Sequence, residues 1–162
     1  MKKRRNLIIF FSILIAFVGG VFSYKTFINI DSMVYLSSRN ESHRSFVSYT
    51  NDKSDNNSKC FDFKKFDGKW SLMQFTSDND GEIEIIDKTK ISKGKFYIVV
   101  LDSEYNIIAQ KNESSGTGDI KFDAKKGEKY SIRIAGEKAS GTFDISVNTN
   151  SDIDITYIDF FD

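Results

Sequence analysis

The chain has no proline, one cysteine (Cys60), one histidine (His43) and one tryptophan (Trp70) in 162 residues. Without proline, these residues hold no proline-containing sorting signal and no proline-rich linker. A single cysteine cannot form an intrachain disulfide. Cys60 also lies far beyond the apolar N-terminal run, so it is not the lipid-modified first residue of a lipoprotein; beside Phe61 it reads as a small apolar side chain. Nucleophilic catalysis needs a nucleophile held beside a base. His43 has only Ser42 and Ser45 near it, in a polar stretch that offers no scaffold. Nucleophile elbows, phosphate-binding glycine loops, zinc-protease helices and Cys/His clusters are all missing from the sequence. Carboxylates are plentiful, but no pair stands out as a glycosidase acid and base. The reading is of a protein that is not an enzyme, with a small carboxylate-pair hydrolase as the minor alternative.

Charge is balanced only in total. Of 23 Lys+Arg, four (Lys2, Lys3, Arg4 and Arg5) precede the apolar run, leaving 19 basic against 23 acidic residues, a net of −4. A mildly acidic body lacks the basic patch with which proteins neutralise phosphates, so nucleic acid is not an expected partner.

What is present begins with that run. Leu7–Phe22 (LIIFFSILIAFVGGVF) carries no charge, and Ser23-Tyr24 extend it to 18 residues. Eighteen helical residues span about 27 Å, near the roughly 30 Å hydrocarbon core of a bilayer. Positive residues stay inside, so residues 7–24 predict a single pass with everything after Tyr24 outside a bacterial cell membrane. No Ala-x-Ala cleavage site follows. Residues 1–24 are therefore read as a retained signal-anchor, with a cleaved signal peptide and a secreted domain as the alternative. Residues 25–59 are read as a short juxtamembrane helix, with Phe27, Ile30 and Val34 on one face, followed by a flexible Ser/Asn-rich spacer.

From Cys60 the pattern changes to short alternating runs. Tyr130, Ile132 and Ile134 alternate with Ser131, Arg133 and Ala135; Phe143, Ile145 and Val147 alternate with Asp144 and Ser146. Period two puts one face in a core and the other in water. Phe96–Leu101 (FYIVVL) is apolar throughout and suits a central strand covered on both sides. Turn signals recur at Asp67-Gly68, Asp80-Gly81, Lys93-Gly94, Lys126-Gly127 and Gly136/Gly141. Residues 60–162 thus predict an all-β domain, an antiparallel β-sandwich of jelly-roll type with about eight or nine strands.

The stretch Ile120–Val147 (IKFDAKKGEKYSIRIAGEKASGTFDISV) resembles the second half of the bacterial pre-peptidase C-terminal domain and related small jelly-roll modules of secreted bacterial proteins. The shared features are Phe122-Asp123-Ala124, Gly127, the Tyr130–Ile134 strand, Gly136 and Gly141, and Phe143-x-Ile145-x-Val147. Phe96–Ala109 is similar to the hairpin that precedes it. The resemblance implies a fold and no functional residue. It also implies a module of the kind appended to secreted hydrolases or surface proteins, some of which bind collagen or polysaccharide.

Two candidate sites remain. Asp78, Asn79 and Asp80 concentrate oxygen ligands before Gly81 and suit calcium, the one cofactor the sequence suggests. With Gly81 at the sixth position of an EF-hand loop, however, the first would be Thr76 and the twelfth Asp87, so a hairpin turn is the plainer reading. Trp70 and Tyr105, with Tyr97, are candidates for an aromatic ligand-binding platform, against core packing for Trp70. The functional expectation is a noncatalytic binding module for an unknown protein or polysaccharide. A structural or accessory partner of another envelope protein is the alternative.

Overall fold

In the computed structural model, residues 10–21, 29–41, 44–116, 118–149 and 153–160 are described. His43 and both flanks of the apolar run lie outside them. Residues 10–21 are helical and exposed (α1), with Phe10, Phe11, Ile13, Leu14, Ile15, Phe17 and Val18 all open to the surroundings. Among the described residues, no helix is long and apolar enough to cross a membrane. A second, five-residue helix follows at Met33–Ser37 (α2).

The rest is antiparallel sheet. Eight strands run in the order β1 (Ser48–Asp55), β2 (Ser58–Thr76), β3 (Gly81–Asp87), β4 (Lys90–Leu101), β5 (Ile107–Asn112), β6 (Ile120–Ala124), β7 (Lys129–Asn148) and β8 (Ile155–Tyr157). The strand number agrees with the expectation, but the partition does not. Tyr130–Ile134 and Phe143–Val147 belong to one 20-residue strand. Gly136 and Gly141 do not separate two strands; they sit where β7 bends. The expected turns at Asp67-Gly68 and Lys93-Gly94 are likewise interruptions inside β2 and β4, where the register shifts at Phe63/Phe66, Phe66/Gly68 and Lys93/Lys95.

These bends align across the sheet, since Gly68 and Phe96 both pair with Gly136. β2, β7 and β4 therefore fold over at one corner, and the sheet doubles back on itself as a β-sandwich. One layer holds β1, the first part of β2, the last part of β7, β3 and β6; the other holds β8, the second part of β2, the first part of β7, β4 and β5. Two glycines make the corner feasible. A Cβ on Gly136 would lie 2.4 Å from the Phe66 ring, and Gly94 has φ +80° with room for no Cβ beside the Glu137 carbonyl.

The space between the layers is filled by aromatic rings. Phe63 stacks on Phe96 at 5.1 Å, Phe61 meets Phe143 at 5.0 Å, and Phe46 stacks on Phe66 at 4.6 Å. Beyond β8, Phe160 folds back onto Phe46 and Trp70 at 4.5 and 5.3 Å. Phe96–Leu101 is covered on both faces, as its continuous apolar run requires. Phe96, Ile98 and Val100 enter this core, while Tyr97, Val99 and Leu101 join a second cluster with Ile30, Leu36 and Ala135 on the outer face.

The expected flexible spacer is corrected here. Ser48–Asp55 pairs with β2 as strand β1, although its sequence is polar, because its backbone hydrogen bonds have a ready edge to join. Ser45 bridges to Asp67 one step earlier. The sheet therefore begins before the expected boundary at residue 60, and residues 29–41 cover its outer face.

Candidate functional site

Trp70 is 1% exposed, so the sequence-based candidate is corrected: its ring is part of the inner core and presents no face to a ligand. Its Nε1 finds no hydrogen-bond partner among the described residues. Tyr105 lies on the opposite side of the sheet, half-buried, with φ +70°. The guanidiniums of Arg39 and Arg133 lie 5.1 and 5.4 Å from its ring centre. Trp70 and Tyr105 are not brought together. Tyr97 is 8% exposed and donates its hydroxyl to Asp31 Oδ1 at 2.7 Å. Burial, reinforced by that carboxylate, raises its pKa to about 12.

Asp78, Asn79 and Asp80 are exposed, but they do not form a hairpin, because β2 and β3 do not pair with each other. The segment carries the chain from one layer to the other. Asp80 Oδ1 accepts from the Lys126 backbone N–H at 2.7 Å, and the Asn79 carbonyl accepts from Ser77 Oγ at 2.7 Å. Among the described residues, no three His, Cys, Asp or Glu side chains converge on a point a metal could occupy.

Sequence reasoning missed the polar group under residues 29–41. Arg133, on β7, is wholly buried and stands on the outward side of the strand, between Ile132 and Ile134, which enter the core. Its Nη2 lies 2.7 Å from Glu41 Oε1, Nη1 donates to the Leu36 and Ser38 carbonyls at 2.6 and 3.0 Å, and Nε donates to Ser71 Oγ at 3.0 Å. Burial lowers the Arg133 pKa, against the pull of Glu41. Lys69, 4% exposed, donates to the Tyr35 and Ser38 carbonyls at 2.6 and 3.1 Å; burial and then Arg133 bring its pKa down to about 8. Two cations thus hold a segment of chain against the sheet. The signal in the sequence was the apolar outward row Tyr97, Val99 and Leu101, which demands a cover.

A second buried group joins Asp87, Lys111 and Glu113. Lys111 Nζ lies 2.5 Å from Asp87 Oδ2 and 3.3 Å from Glu113 Oε1. Burial first, then Asp87, raises Glu113 to about 7, while Asp87, held by Lys111 and Thr89, stays below the usual carboxylate range. The two carboxyls and the lysine form an internal charge group. No described groove opens on it.

Two open grooves lie at opposite ends of the sandwich. One, of about 780 Å³, runs between the β1–β2 turn and the chain from β7 to β8, and is lined by Asp55, Asn56, Asn57, Asn148, Asp154 and Tyr157 among others. Asn57 Nδ2 donates to the Val147 carbonyl at 3.0 Å, and the Tyr157 hydroxyl donates to the Ser58 carbonyl at 3.0 Å, which holds both side chains in place. The other, of about 890 Å³, lies at the corner where the strands fold over and is lined by Lys64, Lys65, Lys93, Lys95 and Lys138 with Asp67, Glu137 and Val47. Gly141 lies near this corner and Asn148 beside the first groove, seven strand residues or about 23 Å apart.

Comparison with family models, with curated proteins and with solved structures finds no match for this chain.

Proposed function

We propose that the chain is a membrane-tethered, noncatalytic binding module held outside the cell, with the Asn/Asp-lined groove as its ligand surface. The observation that carries this reading is the chemistry of that groove. Amides at Asn56, Asn57 and Asn148, carboxylates at Asp55 and Asp154 and the Tyr157 ring line one open channel. Amides donate to and accept from hydroxyls, carboxylates accept from them, and an aromatic ring packs on the apolar face of a sugar. The ligand class is accordingly a polysaccharide of the cell envelope. The four leading cations, the uncharged run and the exposed apolar helix α1 support the tether. The doubled-over sheet is compatible with the jelly-roll modules that Ile120–Val147 resembles.

Binding of the purified full chain to an array of envelope polysaccharides tests this directly. One glycan class should bind, and N56A together with N148A should weaken it at least about tenfold, since each lost hydrogen bond in a polar site removes about 1 kcal/mol. Recovery of a single stoichiometric protein partner by crosslinking in intact cells, with no glycan bound, would replace this reading with that of an accessory subunit.

A further inference from the structure

We infer that the lysine-lined corner is the face on which the domain rests against its own membrane, its ammonium groups docked on anionic lipid headgroups. The inference builds on the reading above that residues 7–24 remain in the bilayer.

Charge is the first ground. Lys64 and Lys65 on β2, Lys93 and Lys95 on β4 and Lys138 on β7 are all exposed around one groove, although the body as a whole carries a net −4. Two acids share the lining, and Asp67 among them already accepts the Lys138 backbone N–H at 2.8 Å. A third acid, Asp31, pairs with Lys95 at 2.5 Å. The far end of the same strands has the opposite character. Its loops carry Asp78, Asp80, Asp102, Glu104 and Glu128 against Lys125 and Lys126. Such a domain orients itself over a negative surface, corner down.

Position is the second ground. Asp31 pairs with Lys95, which places the first described residues of the β-domain, 29–31, beside this corner. From Tyr24 to Asn29 is five residue steps, about 17 Å at full extension. The tether is short enough to keep the corner at headgroup level, where anionic lipids attract lysines and the attraction decays within a Debye length of about 10 Å.

Shape is the third. The lysines stand on bends of the backbone and not on a mobile loop: Lys65 and Lys138 have φ of +49° and +51°. Val47 lies among them, 72% exposed, as an apolar side chain directed at the interface. If the corner faces the bilayer, the Asn/Asp-lined groove faces away from it.

The test uses the full chain reconstituted in phosphatidylcholine vesicles with and without phosphatidylglycerol, probed with a membrane-impermeant amine reagent and read by peptide mass spectrometry. Labelling of the five corner lysines should fall at least about threefold when phosphatidylglycerol is present and recover at high salt, while Lys125 and Lys126 stay unchanged. K64E with K138E should abolish protection of the other three corner lysines; K125E with K126E, at the far end, should leave it intact. If the protein floats with pure phosphatidylcholine vesicles but its corner lysines label equally in both lipids, the docking inference fails and the tether stands. If it does not float, the tether fails and the inference falls with it. Equal protection by a soluble glycerol phosphate polymer added to pure phosphatidylcholine vesicles would overturn the lipid as the source of the anion.

Discussion

The two faces of β7 are held by different physics. Inward, Tyr130, Ile132 and Ile134 join a dry core of stacked rings. Outward, Arg133 and Ala135 lie under residues 29–41, which are secured by the Glu41 ion pair, the carbonyls of Leu36 and Ser38, and a small apolar cluster. Area removed from water stabilises the first face whatever the details of partner geometry. The second depends on each partner being in place, because a buried guanidinium without its carboxylate is costly while the intact pair adds little net stability. The inner face should therefore set how stable the domain is, and the outer face should set which segment covers it.

The largest effect should come from the inner face. Trp70→Ala empties a site in the aromatic cluster and should cost about 3–5 kcal/mol in urea unfolding followed by circular dichroism. A cost below about 1 kcal/mol would mean that the core collapses around the gap.

Next comes the outer face. Arg133→Ala removes the buried cation from Glu41, which keeps Ser71 and Arg44 as partners, and should cost about 2–4 kcal/mol, somewhat under the full value for a buried pair because Glu41 is 18% exposed. The distinguishing readout is hydrogen exchange. The Leu36 and Ser71 amides should lose protection while those of β2 and β7 around Phe61 and Phe143 keep theirs. Loss spread evenly over both faces would erase the distinction between them.

The Asp87–Lys111–Glu113 group gives a smaller effect with a definite sign. Glu113 is raised from 4.5 to about 7, so the folded state binds more protons than the unfolded state between those values. Stability should therefore fall as pH rises from about 4.5 to 7, and E113Q should remove that slope. The variant should gain about 1–3 kcal/mol over the parent at pH 8 and nothing at pH 4. Equal pH profiles for the two proteins would show that Glu113 is ionised in the fold.

Smallest of all is the exposed pair at the corner. Lys95→Ala removes a partner of Asp31 that water already screens, and thermal melts should show no measurable change. A clear drop in Tm would make the corner part of the stabilising frame.

The alternating apolar positions of the core were legible because burial on one face of a strand leaves a period of two. The cover on Tyr97, Val99 and Leu101 was legible as a need, but not as an identity. Ser37–Lys59 is too polar to announce itself as structure, and β1 forms only because β2 supplies an edge for its backbone. Trp70 was legible as an aromatic residue at an irregular point in its strand, yet its depth in the core depends on Phe46 and Phe160, 24 and 90 residues away. Glycines with polar neighbours read equally well as turns and as bends, since both favour a residue without a Cβ. Only the pairing of Gly136 with Gly68 and Phe96 separates the two.

By itself, then, the sequence determined an all-β domain of about eight strands behind a basic and apolar N-terminus, because hydrophobic period and charge order are local properties. Tertiary structure alone decided that three strands fold over at one corner, that Arg133 is buried under Glu41, and that five lysines from three strands share one face. Those outcomes depend on residues far apart in the chain, and no local pattern carries the distance between them.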